Sequence, residues 1–207
     1  MAVDVAAIRR CKKPENMPFA LTKLGHVVLN CSDLERSVRF YTEILGCEIS
    51  DVYGGDMMQG GMVFMRFNAD HHGIALVGTM DGPSPNFELN HIAFEVASLD
   101  EVVLARNHLR RNGIVIDFEG RRRAGVQIAV EFRDPDGHRL EIYWGLDRVG
   151  SDGYIRPANE WKGAKTLRDA IVNPVRGQDT QLKNASILDD EPLSANPRVS
   201  GGKSRFD

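Results

Sequence analysis

The sequence predicts an α+β fold: two tandem βαβββ modules forming a curved sheet around a common cleft. Three observations predict it. The stretch LGHVVLNCSDLERSVRFYTEILG, Leu24 to Gly46, has a counterpart in LNHIAFEVASLDEVVLARNHLRRNG, Leu89 to Gly113. The offset drifts by single residues, from 65 between His26 and His91 to 67 between Gly46 and Gly113, as small insertions between duplicated units would produce. Each repeat is then followed by three alternating segments with the period of strands.

Within each repeat the elements follow from local pattern. In LGHVVLNC, His26, Val28 and Asn30 take one side of a strand, and Val27, Leu29 and Cys31 take the other. Ser32 with Glu35, and Ser98 with Glu101, fit the capping box that satisfies the free N–H groups at a helix start. Leu34, Val38, Tyr41 and Leu45 recur at helical spacing and predict one buried helix face. Gly46 and Gly113 stand where a left-handed C-terminal cap is wanted. The following strands are expected at 48–53, 62–68 and 73–78, and again at 115–119, 126–132 and 139–144, with Asp134-Pro135-Asp136-Gly137 as the last turn.

These elements divide the chain into an arm (1–21), a paired-module domain (22–145, modules 22–79 and 88–145) and a C-terminal extension (146–207). Met80 to Pro85 form a turn-rich linker. In the extension only Lys165–Val172 reads as helix, and from Ala185 onward the composition suggests partial disorder.

Composition limits the partners. A net charge of −3 supplies no basic field for nucleic acid or an anionic membrane. No apolar run approaches the roughly 20 residues of a membrane helix, and the arm lacks the order of a secretory signal. Cys11, Cys31 and Cys47 are odd in number and contain no C-x-x-C, so a reducing cytoplasm is expected, without a disulfide framework or a cysteine zinc site.

The chemistry concentrates in the repeats. His26 and His91 hold equivalent positions on equivalent strands, so a closed pair of modules aims both into the cleft. Glu141 sits between Leu140 and Ile142 in HRLEIYW, where a carboxylate is costly to bury without a partner. Two imidazoles and one carboxylate make the facial triad of non-haem Fe(II) oxygenases, which leaves positions open for substrate and O₂. Tyr143 shares the Glu141 face and is a candidate substrate contact. His108, on the polar side of its helix, and His138, after the Asp136-Gly137 turn, read as structural.

With the doubled LGHVVLN/LNHIAFEV strands, DLERSVRFYTEILG and DPDGHRLEIYWG, the chain from about Thr22 to Gly145 resembles the vicinal oxygen chelate superfamily, which includes glyoxalase I, resistance proteins and type I extradiol ring-cleaving dioxygenases. The resemblance implies a metal-containing cleft. Glyoxalase-like isomerases take a carboxylate from the last strand of both modules, but Ile74, Ala75 and Leu76 occupy the first of those places here. The remaining His26, His91 and Glu141 are the extradiol pattern. His71-His72 before an apolar strand is similar to the His-His of dihydroxybiphenyl-type enzymes, which implies His72 as the acid–base residue. A second active-site histidine of that family is replaced by Arg122, and its tyrosine is missing near Glu131. The resemblance therefore implies an Fe(II) dioxygenase that cleaves a catechol-like small molecule with O₂, in which Arg122 meets an anionic substituent, in a homo-oligomer. The alternatives on this scaffold are a Mn, Ni or Zn isomerase, lyase or thiol transferase, and a metal-free sequestering protein.

Overall fold

A computed structural model describes residues 3–12, 15, 18, 22–85, 88–149, 151 and 153–189. A short helix, α1 (Val5–Arg10), capped by Asp4, lies in the arm. The first module contains β1 (Val27–Asn30), α2 (Leu34–Glu43), β2 (Glu48–Tyr53), β3 (Met62–Arg66) and β4 (Ile74–Val77). The second contains β5 (Ile92–Glu95), α3 (Leu99–Arg111), β6 (Ile116–Arg121), β7 (Ile128–Arg133) and β8 (Arg139–Trp144). Each module forms its own four-stranded sheet, ordered β1-β4-β3-β2 and β5-β8-β7-β6. In both, the first strand runs parallel to the last and the other pairs are antiparallel. Identical topology in the two halves bears out the tandem βαβββ reading.

Several local details depart from the sequence pattern. Ser98 and Glu101 make the expected capping box, but α2 is capped by Asp33, which accepts from Arg36 N. Ser32 is diverted: its N–H and hydroxyl both donate to Asp136 of the second module. The deepest face of α2 is Ser37, Phe40 and Tyr41, rotated from the expected stripe, while Leu34, Val38 and Leu45 pack at its margin. Gly46 (φ 69°) and Gly113 (φ 73°) take the left-handed conformation that closes a helix C-terminus. The strand expected from Val126 begins only at Ile128, because Val126 turns to φ 51°, a costly conformation for a β-branched residue.

One apolar core serves both modules. Leu29, Phe40, Tyr41, Met65, Ile74 and Leu76 join Val102, Val103, Leu109, Ile128, Val130, Phe132 and Leu140 on the helix side of the sheets. The Phe40 and Phe132 rings approach to 6.5 Å across the module boundary. Beside them runs a buried polar seam. Asp136 accepts from Ser32, Arg36 and Ser37, and Asp134 accepts from Tyr41 Oη at 3.1 Å. His138 lies 2.9 Å from Asp134 through Nδ1, so its structural role is borne out. Burial alone would push this imidazole down, yet the hydrogen bond and charge of Asp134, with Asp136 behind it, hold it above its ordinary value.

The described part of the C-terminal extension packs on the second module. Arg121 and Ala164 form an antiparallel bridge at the β6 edge. Gly120 permits it, since a Cβ there would lie 2.2 Å from Ala164 O. Helix α4 (Leu167–Val172) buries Leu167 and Ala170 in the core. The buried Arg121 guanidinium donates to the carbonyls of Lys162, Ala170 and Asn173, neutralising the end of α4. Arg106 and Asn107 of α3 then hold the carbonyls of Leu188 and Ile187. These contacts lie on the helix side, so the opposite face of the second sheet is not covered by them. The disorder expected from Ala185 gives way to a 3₁₀ turn at Ala185–Leu188, and residues 190–207 lie outside the described residues.

Among the described residues no helix is long and apolar enough to cross a membrane. Cys31 and Cys47 are buried free thiols, pushed up to about 12 and about 11 chiefly by burial.

Candidate metal centre

Strand alternation builds the uncovered face of the second sheet. Leu140 points into the core, so Arg139, Glu141 and Tyr143 point away from it. Register places Glu131 of β7 and Ala93 of β5 directly beside Glu141. His91 immediately precedes Ile92, the partner of Leu140, and its Nε2 lies 3.4 Å from Glu141 Oε2. His91, Glu131, Leu140 and Glu141, with Asn90, Arg122, Gln127 and Arg139, line a cavity of about 200 Å³.

The electrostatics of this pair are unusual. His91 Nδ1 lies 2.8 Å from Asn90 Oδ1. That oxygen only accepts, so Nδ1 donates to it, and Nε2 is turned toward the carboxyl of Glu141. Metal-binding histidines commonly donate from their other ring nitrogen to an acceptor of this kind, which fixes the ring's orientation. Glu141 is 2% exposed, and its carboxyl is pushed up, by burial first and by Glu131 next, against the pull of Gln127, His91 and Arg122. His91 Nε2 and the buried Glu141 carboxyl therefore face each other directly. Two such side chains 3.4 Å apart could both reach one divalent cation.

Arg122 is engaged elsewhere. Its Nε and one terminal nitrogen donate to the two oxygens of Glu131 at 2.6 and 2.5 Å. Its guanidinium also lies 3.7 Å over the Phe118 ring. Gln127 donates to Glu141 Oε1 at 3.4 Å, and its own Oε1 is buried without a donor. Gln127 is set by the strained Val126 turn, whose carbonyl accepts from Gln178 of the extension at 2.7 Å. Tyr143 is half-buried on the same face, its phenol pushed up by burial and by Glu95 and Glu141.

The other expected residues collect on the first sheet. The His26 and His72 rings lie 4.6 Å apart. His72 meets Phe64 at 5.0 Å, edge to face, and Phe64 meets Tyr53 at the same distance. His72 Nδ1 lies 3.0 Å from His71 Nδ1. Partial desolvation, then His26 and His71, hold His72 below its ordinary value, so it is neutral at pH 7 and able to accept a proton. Among the described residues, no three His, Cys, Asp or Glu side chains gather closely enough to hold one ion. The structure thus joins His91 to Glu141 and His26 to His72, and it records no contact between the two pairs.

Glu131, Asn90, Gln127 and Arg139 had not been expected at the site. Glu131 could have been found, because it is an acid in the apolar run IAVEFR just as Glu141 is in LEIYW. Asn90, Gln127 and Arg139 carry no such signal; their roles arise from packing.

The model of the Glyoxalase/Bleomycin resistance protein/Dioxygenase superfamily matches residues 23–142. A biphenyl-2,3-diol 1,2-dioxygenase of Metapseudomonas furukawaii is 29% identical over 160 residues, 74% of this chain and 51% of that protein. A manganese-dependent 2,3-dihydroxybiphenyl 1,2-dioxygenase of Geobacillus genomosp. 3 is 29% identical over 135 residues, 64% of this chain and 39% of that protein. The chain thus spans about half or less of the length of these two relatives. The solved glyoxalase/bleomycin resistance protein/dioxygenase domain from Frankia sp. EAN1pec is 25% identical, covers 61% of this chain and 99% of its own, and superposes with a TM-score of 0.52.

Proposed function

The chain belongs to the Glyoxalase/Bleomycin resistance protein/Dioxygenase superfamily, and from that premise we propose that it is an Fe(II)-dependent dioxygenase that opens the ring of a catechol-like diol with O₂. His91, Glu141 and His26 hold the metal. One observation carries this reading: the 3.4 Å approach of His91 Nε2 to the buried Glu141 carboxyl, side by side on one sheet face. The named relatives act on aromatic diols, and manganese in one of those names keeps Mn(II) as the alternative ion.

Bound there, the cation supplies a Lewis acid that favours the ionised diol and leaves coordination positions open to it and to O₂. The protein supplies the rest. Asn90 holds His91 through Nδ1, and Gln127 holds the Glu141 carboxyl at Oε1. Phe64 and Tyr53 offer an aromatic wall beside His72. Neutral His72, its Nδ1 turned to His71, accepts the proton of a diol hydroxyl at Nε2 and returns it to the ring-opened product. Arg122 and Tyr143 flank the substrate, with Arg122 keeping Glu131 paired and away from the metal.

The split of donors between two sheets gives the reading its quaternary form. Two copies of the chain lay the His26 face of one over the Glu141 face of the other, which completes two equivalent sites across a two-fold axis. Val28, on the His26 face and 46% exposed, is apolar surface that such an association covers.

Mixing two inactive variants tests the arrangement. His26→Ala and Glu141→Ala each lack one donor, and a heterodimer of the two retains one intact site. Random exchange of subunits restores about one quarter of the wild-type Fe(II) sites and O₂ uptake. No O₂ uptake by anaerobically iron-loaded wild type with any of several catechols rejects the dioxygenase reading. Full activity of wild type with no recovery in the mixture rejects the shared site alone.

A further inference from the structure

Resting on the metal–diol reading above, we infer that the second module selects catechols bearing a carboxylate, and that Arg139 is the residue that holds it. Arg139 lines the same cavity as His91 and Glu141. Strand alternation puts it on the Glu141 face, and register sets it next to His91, since Leu140 pairs with Ile92. Among the described residues it makes no ion pair and no side-chain hydrogen bond. The other guanidinium of the cavity, Arg122, has both its fork and its flat face occupied, by Glu131 and Phe118. Asp117, an acid across the sheet, is held by Arg133 at 3.0 Å. Arg139 therefore keeps a complete fork and lacks a counter-ion.

The charge of the lining points to the same ligand. Arg122 and Arg139 balance Glu131 and Glu141, so a bound divalent cation leaves the cavity at plus two. A catechol that has lost one proton supplies a single negative charge, and a ring carboxylate supplies the other. The carboxylate geometry matches the planar guanidinium fork, which a neutral substituent cannot use. Ligand charge and donor pattern thus agree on an aromatic diol acid.

Zn(II)-loaded protein, in which no oxygen chemistry runs, is titrated in a calorimeter with 2,3-dihydroxybenzoate and with 3-methylcatechol. Wild type should prefer the acid by about tenfold or more, the scale of a charge-assisted paired contact. Arg139→Gln should lose that preference and keep its affinity for 3-methylcatechol. Arg139→Lys, with charge but no fork, should retain part of the preference, and in wild type the preference should shrink as NaCl rises. Equal affinities in wild type, or an unchanged preference in Arg139→Gln, overturn the inference and leave the metal–diol reading intact. Binding of neither diol by zinc-loaded protein overturns both.

Discussion

The Nε2 of His91 stands 3.4 Å from the Oε2 of Glu141, the first exposed and the second almost wholly buried. Burial first and Glu131 next oppose ionisation of Glu141, against the pull of Gln127, His91 and Arg122. Under the proposed metal reading, the buried carboxyl gives up stability of the metal-free protein in exchange for affinity.

Replacing the carboxylate separates these two roles. The Glu141 carboxyl holds its proton more tightly in the folded chain than in the unfolded one, so metal-free wild type loses stability as pH rises past the ordinary carboxylate range. Glu141→Gln should escape that loss. At pH 7.5 its metal-free form should be more stable by on the order of 1 kcal/mol in urea unfolding, while its metal content falls to background.

The seam between modules depends on Asp136, which is fully buried and accepts from Ser32, Arg36 and Ser37. Asp136→Ala leaves those donors, one of them a guanidinium, without an acceptor. A loss of about 3 kcal/mol is expected, seen as a lower urea midpoint. Asp136→Asn, which preserves one acceptor oxygen, should recover part of it.

The neighbouring His138–Asp134 pair makes stability depend on pH. The folded-state imidazole is raised above its ordinary value of 6.5, so its contribution is complete below that value and drains away as pH climbs through the raised one. Thermal midpoints of wild type should fall between pH 6 and pH 8.5. The fall should be shallower in His138→Gln, and a wild-type profile no steeper than the variant's would remove this account.

Arg121 ties the C-terminal extension to the β6 edge by donating to three carbonyls. Arg121→Ala should cost about 2–3 kcal/mol, because carbonyls at the end of α4 lose charged donors inside the protein. Proteolysis should then cut first between Asp147 and Asp179, ahead of any cleavage in the paired modules.

By itself the sequence determined the duplication, the order of strands and helices and the identity of the repeated histidines. These are local properties: a period of two or 3.6, a capping residue, a glycine after a helix, each legible within a few positions. The acids Glu141 and Glu131 were legible too, as charges that an apolar strand would not otherwise carry.

Tertiary structure alone decided how those residues are grouped. Ser32 lost its capping role because Asp136, 104 positions away, reached it first, and Asp33 took over. Arg122, just past the end of β6, is committed to Glu131, which leaves Arg139 as the unpaired guanidinium of the Glu141 cavity among the described residues. The two repeated histidines stand on separate sheets because each module closes its own ladder. Pairing between distant strands is fixed by packing of the whole core, and no short stretch of chain encodes it.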